Sequence, residues 1–418
     1  MHPAVKVIVL GAGVIGVTAA YYLAKAGAEV TVIERQLDVA RETSFANGGQ
    51  LSVRSVGPWA NPHAPGVALR SLGRADAPLI MRLRADPAMW SWVVKFLRNC
   101  TARRARHNLT LLRRIATYSG DSLAALCEDT AIAFDRRRQG ILCLYRDRRS
   151  FDKAARELDG AAEMERAVTP AECTRIEPAL AEVEAKLSGG IYYPKDESGD
   201  ARRFTEELAA ICREQGVTFA FGTNAVRFRA TGDRVTGIET DDGLERADAY
   251  LLCLGSFSSR LARGLGIRLP IYPVKGYSVT IPVASQNIAP EVSIHDEELK
   301  IVISRLGDRL RAAGTAELTG YDARIDPVRS EAVLKGLFSL FPNSGDPKKA
   351  TFWAGLRPMT PDGLPILGAA RYPNLFLNTG HGTLGFTLGC GSGRVAADLV
   401  MGREPAIDLT GLGPERFS

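Results

Sequence analysis

The apolar residues near the start of the chain form two short runs, separated by a glycine-rich turn and an uncharged stretch. Residues 5–10 are β-branched and apolar, which is typical of a buried parallel strand. A helix is predicted after the turn through Ala26, and it ends at Gly27. Residues 30–33 form the second apolar run, which ends on Glu34. The pattern predicts a βαβ unit.

The pattern after Arg35 does not continue as regular βαβ repeats. Strands are predicted at 140–145, 217–221 and 248–254, with a hairpin at 225–240, a strand-rich region at 271–315 and a last strand at 375–377. Helices are predicted at 86–128, near 151–165, at 203–215, at 329–340, and from the loop at 378–385 to about Met401. Because strand 248–254 is followed by Gly255-Ser256 and a helix, the chain is expected to return there to its first domain.

The glycine-rich turn of the βαβ unit has the sequence of a phosphate-binding site. Its sequence is Gly11-Ala12-Gly13-Val14-Ile15-Gly16, the GxGxxG pattern of dinucleotide-binding folds. Gly11 permits a tight turn, Gly13 lets the backbone approach a pyrophosphate, and Gly16 lets the helix pack on the strand. The helix N-terminus offers free N–H groups to phosphates, and Glu34 is placed for a ribose hydroxyl. The unit by itself does not distinguish NAD from FAD.

The composition is that of a soluble globular protein, and the positive charge is concentrated in one segment. The chain has 418 residues, of which 45% are apolar and 24% charged, and its net charge is +6. Residues 95–114 hold one lysine, six arginines and no acid, directly after the apolar segment 89–97. This cluster is predicted to touch an anionic membrane surface, or else to be the wet side of a buried helix. Nucleic acid is not expected as a partner, because no nucleic-acid motif is present.

The cysteines and the N-terminal apolar stretch indicate a cytoplasmic protein. The seven cysteines are scattered without CxxC pairs or zinc spacing, which fits a reducing compartment. The uncharged run 7–24 has the length of a signal peptide, but its strand-turn-helix pattern explains it as buried structure. No metal is predicted. The acids Asp196, Glu197 and Asp200 are interpreted as a solvated turn.

An arginine lies in a segment rich in proline and glycine. Residues 351–368, TFWAGLRPMTPDGLPILG, are predicted to be a loop with Arg357 in its middle. An arginine there either faces water or binds an anion. A guanidinium binds a carboxylate bidentately and with fixed orientation.

These segments together resemble a known family. They are the cradle at 11–16, TSFANGGQ at 43–50, KGY at 275–277, GLRPMTPDGLPILG at 355–368 and NTGHGTLGF at 378–386. The chain resembles the FAD-dependent D-amino-acid oxidase superfamily and, within it, the bacterial D-amino acid dehydrogenases. GGIYYPKDESGD at 189–200 and YPVKGYSVTIP at 272–282 resemble those dehydrogenases specifically.

The resemblance implies an α/β fold, with α+β character in the second domain. It implies a Rossmann-like FAD-binding domain with an inserted, strand-rich substrate domain. The FAD-binding domain is predicted at 1–55, 185–260 and 350–418, and the substrate domain at 56–184 and 261–349. The resemblance also implies non-covalent FAD and oxidative deamination of D-amino acids to 2-oxo acids and ammonia. It further implies electron transfer to a quinone and a peripheral position at the inner face of the bacterial plasma membrane.

The resemblance also assigns site residues. Arg357 is predicted to hold the substrate carboxylate, with Tyr277 either a second donor or a core tyrosine. His381 is a candidate for proton transfer, although its two flanking glycines favour a role for loop backbone. Lys275 is interpreted as solvated or FAD-facing. The predicted FAD-binding residues are Gly11, Gly13, Val14, Ile15, Gly16, Glu34, Arg35, Ser44, Asn47, Gly48, Gly49, Gln50, Leu51, Val226, Gly255, Ser256, Gly380, Gly382, Thr383 and Leu384.

The preferred substrate and acceptor stay open. Ser55 stands where the dehydrogenases tend to carry a tyrosine, so D-alanine as the preferred substrate is one alternative among several. D-proline, 4-hydroxy-D-proline or a larger D-amino acid are the other substrates. The other functions are an oxygen-using oxidase and a flavin-binding subunit of a membrane complex.

Overall fold

The computed structural model describes residues 4–71, 77–82, 84–284 and 288–417 of the chain. The strands of these residues are β1 (Lys6–Leu10), β2 (Glu29–Glu34), β3 (Gln50–Leu51), β4 (Leu79–Met81), β5 (Ile141–Tyr145), β6 (Arg166–Val168), β7 (Gly189–Tyr193), β8 (Glu197–Ser198), β9 (Thr218–Phe221), β10 (Ala225–Thr231), β11 (Arg234–Thr240), β12 (Gly243–Glu245), β13 (Ala249–Leu252), β14 (Tyr272–Pro282), β15 (Ser293–Asp296), β16 (Ile301–Leu306), β17 (Arg309–Leu318), β18 (Thr351–Met359), β19 (Ile366–Ala369) and β20 (Leu375–Thr379).

The α-helices of the described residues are α1 (Val14–Lys25), α2 (Ala64–Arg70), α3 (Pro87–Asn99), α4 (Ala102–Thr130), α5 (Arg148–Arg156), α6 (Pro170–Ile176), α7 (Ala201–Glu214), α8 (Ser258–Arg263), α9 (Pro327–Leu340) and α10 (Gly385–Val400). Of these, α1, α7, α9 and α10 lie close to the predicted positions, whereas α5 ends well before the predicted residue 165.

The helix predicted at 86–128 is two helices in the structure. Asp86 caps α3 as predicted, because its side chain accepts from the N–H groups of Ala88 and Met89. The break falls at Thr101, which has extended backbone and accepts from the N–H of Arg104 to cap α4. The prediction missed this second N-cap because the residues on both sides of it are typical of helices.

The first sheet has the order β19-β20-β13-β1-β2-β9. β1 pairs in parallel with β2 and β13, and β20 and β9 extend the parallel set on either side. Helix α1 packs against α7 and α10 beside this sheet. The predicted βαβ unit and the return of the chain at 248–254 are confirmed by this pairing.

The second sheet has the order β18-β14-β17-β16-β15-β5-β7-β6, with β4 paired to β17. β14 pairs with β18 without interruption from Tyr272 to Thr280. The β14 and β17 register shifts between Lys275 and Tyr277, which marks a bulge. This sheet packs on α9 around an apolar core that includes Val279, Ile303 and Leu337.

The segment TFWAGLRPM was predicted to be a loop, and this prediction is wrong because Thr351–Met359 is a strand. Proline and glycine suggested irregular backbone. β18 is the edge strand of its sheet, so Pro358 can lack an N–H without losing a ladder bond on the open side.

Sheet membership also differs from the predicted division of the chain. Strands β7 and β18 belong to the nine-stranded sheet, although 185–260 and 350–418 were assigned to the FAD-binding domain. β18 pairs with β14, and β7 pairs with β5 and β6. These partners all lie in the stretches assigned to the substrate domain, so composition gave no sign of the change of sheet.

Candidate active site

A large cavity, of about 2470 Å³, extends from the first turn of α1 to the wall formed by β14, β17 and β18. Pockets for single small ligands usually measure about 300–1,000 Å³. The cavity is therefore large enough for a dinucleotide together with a small substrate.

The turn before α1 lines one end of this cavity. Gly11 has a φ of +104°, and a Cβ there would lie 2.9 Å from the carbonyl oxygen of Cys253. Gly13 lines the cavity beside Ser44, whose Oγ accepts from the N–H of Val14 at 3.0 Å. Gly16 lies below the turn, where a Cβ would be 1.8 Å from the oxygen of Gly11. Gly11 and Gly13 thus expose backbone to a ligand, whereas Gly16 allows the helix to approach the strand.

Glu34 lies at the end of β2 beside the same turn. Its carboxylate accepts from the N–H of Ala12 at 2.8 Å and from the N–H of Gln36 at 2.9 Å. Burial raises the pKa of Glu34. Each oxygen keeps a second lone pair that a sugar hydroxyl can use. The adjacent Arg35 lies over the ring of Phe257, and Val226 is half exposed at the cavity rim.

The segment from Asn47 to Gln50 lines the middle of the cavity. A Cβ on Gly48 would lie 2.3 Å from a methyl carbon of Val302, so only glycine allows this approach to β16. Gly49 has a φ of +72°. Gln50 donates to Ser293 Oγ at 2.9 Å. Leu51 is different, because it is buried and is not part of the cavity wall.

Arg357 lies on β18 and contributes to the far wall of the cavity. Its guanidinium covers Gly276 of β14, where a Cβ would be 2.2 Å from Cζ. Nη1 donates to the carbonyl of Thr315 at 2.6 Å, and Nη2 to that of Gly314 at 3.4 Å. Burial lowers the pKa of Arg357 to about 10. Within the described ranges, no carboxylate forms an ion pair with Arg357.

Tyr277 is turned away from Arg357. Adjacent residues of a strand face opposite sides of a sheet, and Tyr277 follows Gly276, the residue that the guanidinium covers. The hydroxyl of Tyr277 donates to Glu317 Oε2 at 2.6 Å, and the side chain is buried. The hydroxyl of Tyr277 is thus used within the protein, as in the core-tyrosine alternative, and the residue also borders the cavity.

His381 lies in the loop that precedes α10. Its Nε2 is 3.0 Å from Ser392 Oγ, and burial lowers the pKa of His381 to about 3. The imidazole is therefore neutral at physiological pH. The N–H of Gly382 donates to the carbonyl of Pro358 at 3.0 Å, which joins this loop to the strand that carries Arg357. Thr383 and Leu384 line the cavity, whereas Gly380 is covered by Thr360.

A family model described as FAD dependent oxidoreductase matches residues 6–399. The chain belongs to this family. It is 53% identical over 419 residues to the D-amino acid dehydrogenase of Paramagnetospirillum magneticum, with 99% of each chain covered. It is 47% identical to the D-amino acid dehydrogenase of Bradyrhizobium diazoefficiens, again with 99% of each chain covered.

The fold of this FAD-dependent oxidoreductase is also that of a solved structure. Glycine oxidase from Geobacillus kaustophilus superposes with a TM-score of 0.74 at 24% identity, with 98% of each chain covered.

The cavity fits the FAD that the family uses. The first turn of α1 offers N–H groups for the pyrophosphate, and Gly255 and Ser256 line the cavity after β13. Asn378 also lines it, and its side-chain amide is buried with neither polar atom bonded to another described residue. A buried amide without partners is costly, so these atoms are ready for a polar ligand.

Four polar side chains of this oxidoreductase are more enclosed than predicted. Lys275 is neither solvated nor FAD-facing, because it is buried with Nζ 3.2 Å from Glu317 Oε2. The prediction of a solvated turn is wrong for Asp196 and Asp200, which are 1% and 2% exposed. Asp196 accepts from Ser55 Oγ at 2.6 Å, and Asp200 caps α7. Glu197 is partly buried and pairs with Arg136.

Sequence spacing did not reveal one further cluster. The ligand atoms of Cys143, His295 and Glu297 lie within 4.8 Å of one another, although these residues come from different strands and a loop. Glu297 already forms an ion pair with Lys300, which supplies a positive charge there. Cys143 of β5 is the cross-strand partner of His295 of β15. No local sequence pattern could indicate this strand register.

The sequence also gave no reason to single out Gly276 or Thr315. Gly276 could have been suspected only as the centre of the KGY motif. Thr315 has a φ of +56°, which is unusual for a β-branched residue and has no signature in sequence.

Proposed function

We propose that the protein oxidises D-amino acids to 2-oxo acids and ammonia and passes the electrons to a quinone. The observation that carries the proposal is the partly buried guanidinium of Arg357 on the cavity wall, with no carboxylate partner among the described residues. A cation that is largely removed from water and has no anion is costly, and a bound amino acid supplies a carboxylate. The names of the relatives, which are D-amino acid dehydrogenases, support the choice of substrate.

In this proposal the turn before α1 and the loop before α10 would hold FAD, which when bound would supply the acceptor for a hydride from the Cα of the substrate. Arg357 binds the carboxylate with both ends of its guanidinium and so fixes the orientation of Cα. The amine loses a proton to solvent, and water hydrolyses the resulting imine to the 2-oxo acid and ammonia. The positive end of α10 and the backbone of residues 382–384 stabilise negative charge beside the cavity.

His381 has no proton-transfer role in this proposal. With a pKa of about 3 it is a weak base, and its Nε2 is already within hydrogen-bonding distance of Ser392. Its contribution is to hold the loop between β20 and α10 in place.

In the proposal the two large sheets have different roles. The six-stranded sheet and its helices hold FAD, and the nine-stranded sheet holds the substrate. The alternatives of a D-proline or 4-hydroxy-D-proline dehydrogenase and of an oxygen-using oxidase share this arrangement. Ser55 bears on the choice, but its hydroxyl donates to Asp196 Oδ2 at 2.6 Å and is used within the protein.

A panel of D-amino acids, added without oxygen to the yellow holoenzyme, tests the function. We expect the flavin absorbance to bleach with some D-amino acids and to return on addition of a quinone analogue. Peroxide release in air measures the oxidase alternative. A flavin that no D-amino acid bleaches contradicts the proposal.

Arg357→Lys is the variant for the same experiment. Lysine keeps the charge but loses one arm of the fork, so KM should rise by roughly 10- to 100-fold, or about 1–3 kcal/mol. FAD content should not change. Arg148→Lys is the matched control, since Arg148 is exposed and pairs with Asp152 on the surface of α5. An Arg357→Lys variant with wild-type kinetics would exclude Arg357 as the anchor.

We also propose that the quinone is reached at a membrane surface through α3. Trp90, Val94 and Leu97 are 42%, 47% and 49% exposed and recur at helical spacing on one face of α3. Exposed arginines, Arg98 and Arg104, follow directly. No helix in the described part of the chain has the length and hydropathy to cross a bilayer. A peripheral position on an anionic leaflet accounts for this arrangement.

A further inference from the structure

Thr315 has backbone that a β-branched residue rarely adopts. Its φ is +56°, in the left-handed region. The residue lies in the bulge of β17, where Lys275 pairs with Glu317 and Tyr277 pairs with Gly314. Two residues of β17, Thr315 and Ala316, therefore face the single residue Gly276 of β14. Unusual backbone of this kind persists only where the surroundings enforce it, and it is concentrated at functional sites.

The bulge and Arg357 form one arrangement. The guanidinium covers Gly276, the residue opposite the bulge. The turned backbone directs the carbonyl of Thr315 to Nη1 at 2.6 Å, with the carbonyl of Gly314 at 3.4 Å from Nη2. These two bonds hold the guanidinium in one orientation and leave its remaining N–H groups for a ligand.

The side-chain hydroxyl of Thr315 can form a further hydrogen bond. Thr315 lines the cavity and is 7% exposed, and its Oγ1 has no hydrogen-bond partner among the described residues. A buried hydroxyl without a partner costs free energy. The carbonyl of the same residue binds Nη1, so Thr315 contacts the charged end of Arg357 through its backbone.

We infer that Thr315 Oγ1 donates a hydrogen bond to the carboxylate that Arg357 holds. The inference rests on the proposed function, and it gives Thr315 the place of second donor for which Tyr277 was a candidate. One carboxylate oxygen accepts from the guanidinium alone, and the other accepts from both the guanidinium and the hydroxyl. Thr315 thereby favours ligands with a carboxylate over ligands with an amide or no charged group at that position.

Thr315→Val tests the inference, because valine keeps the shape and β-branching and removes only the hydroxyl. Thr315→Ser is the matched variant that keeps the hydroxyl. Thr315→Ala is a second variant without the hydroxyl, and it tolerates the left-handed backbone better than valine does. Each holoenzyme is titrated with propionate, a carboxylate without an amine, and the flavin absorbance is followed. KM and kcat are then measured with a D-amino acid.

We expect the Kd for propionate and the KM to rise roughly tenfold or more in the valine and alanine variants, with kcat and FAD content little changed. The serine variant should stay within a few-fold of the wild type. Wild-type affinities in the valine and alanine variants would overturn the inference. Equal losses in the serine variant would overturn it too, because backbone or packing would then be responsible.

The failure of the proposed function has a different signature. In that case the wild type itself binds no carboxylate and oxidises no D-amino acid, and both ideas are overturned. If the wild type does both and the valine and alanine variants behave identically to it, only the role of Thr315 is overturned.

Discussion

Buried and partly buried polar residues of this oxidoreductase divide into those whose hydrogen bonds are formed within the protein and those with bonds left to form. Lys275 and Tyr277 both bind Glu317, the first by an ion pair and the second by a hydrogen bond. Arg357 and Thr315 line the cavity, and Thr315 Oγ1 has no hydrogen-bond partner among the described residues. Since an unsatisfied buried group costs free energy, the second set is the better guide to where a substrate binds.

His381 illustrates how burial changes one residue, and it gives a pH prediction. Its pKa is about 3 in the folded protein, against about 6.5 in an unfolded chain, so the unfolded state binds more protons between these values. Its contribution to stability is full above about pH 6.5 and is lost as the pH falls toward 3. At pH 5 the loss is on the order of 2 kcal/mol.

His381→Gln removes this titration. The free energy of unfolding should therefore fall less between pH 7.5 and pH 5 in the variant than in the wild type, by on the order of 2 kcal/mol. Urea unfolding at the two pH values measures the difference. His107→Gln is the control, because His107 is exposed on α4. An identical pH dependence in His381→Gln and wild type would contradict the burial argument.

At the scale of elements, glycines decide which segments can touch. Gly16 lets α1 approach the turn before it, Gly48 lets a loop lie on β16, and Gly276 makes room for Arg357. Each is a contact between two elements that a single methyl group would obstruct. The GxGxxG pattern made the first predictable, whereas the other two depend on strands that are distant in sequence.

Gly16→Ala should weaken FAD binding through the position of α1. The new Cβ would lie 1.8 Å from the carbonyl oxygen of Gly11, which is backbone, so the helix must shift away from the turn. We expect the Kd for FAD to rise about tenfold or more, or at least about 1.4 kcal/mol. The flavin-to-protein absorbance ratio after dialysis measures this change. Gly66→Ala in α2 is the control, since a Cβ there meets nothing within 4 Å. Full retention of FAD by Gly16→Ala would count against the tight helix–turn contact.

At the scale of the whole molecule, both large sheets are built from separated segments of the chain. Residues of both sheets line the cavity, so the lining residues of the two sheets alternate along the sequence. On the outside, α3 buries Met89 and Trp92 and exposes Trp90, Val94 and Leu97. An exposed apolar stripe next to arginines is the feature on which the proposed membrane surface depends.

Vesicle sedimentation tests this surface. The protein should bind vesicles that contain anionic lipid, bind zwitterionic vesicles weakly, and dissociate as salt increases. Replacing Trp90 and Leu97 by glutamine should reduce binding several-fold, because it removes apolar area from the interface. Leu244→Gln is the control, since Leu244 is comparably exposed on β12. Absence of binding would favour the alternative of a helix with its arginines in water.

Features of the structure were predictable from the sequence where they arise from residues close together in the chain. The βαβ unit, the Asp86 cap and the hairpin at 225–240 follow from neighbouring residues, and they were predictable. The strand at 351–359 was missed because its proline is tolerated only at a sheet edge. The burial of Asp196 and Lys275 was missed because their partners lie far away in the sequence.

The sequence by itself determined the family, the cofactor cradle and the presence of an arginine suited to a carboxylate. Tertiary structure alone decided which residues contact that arginine. Pairing of β14 with β18 and the bulge in β17 turned Tyr277 away and brought Thr315 to Arg357. The physical reason is strand register. Motifs and caps result from contacts within a few residues, whereas a shift of one residue in a strand changes the face that every side chain presents.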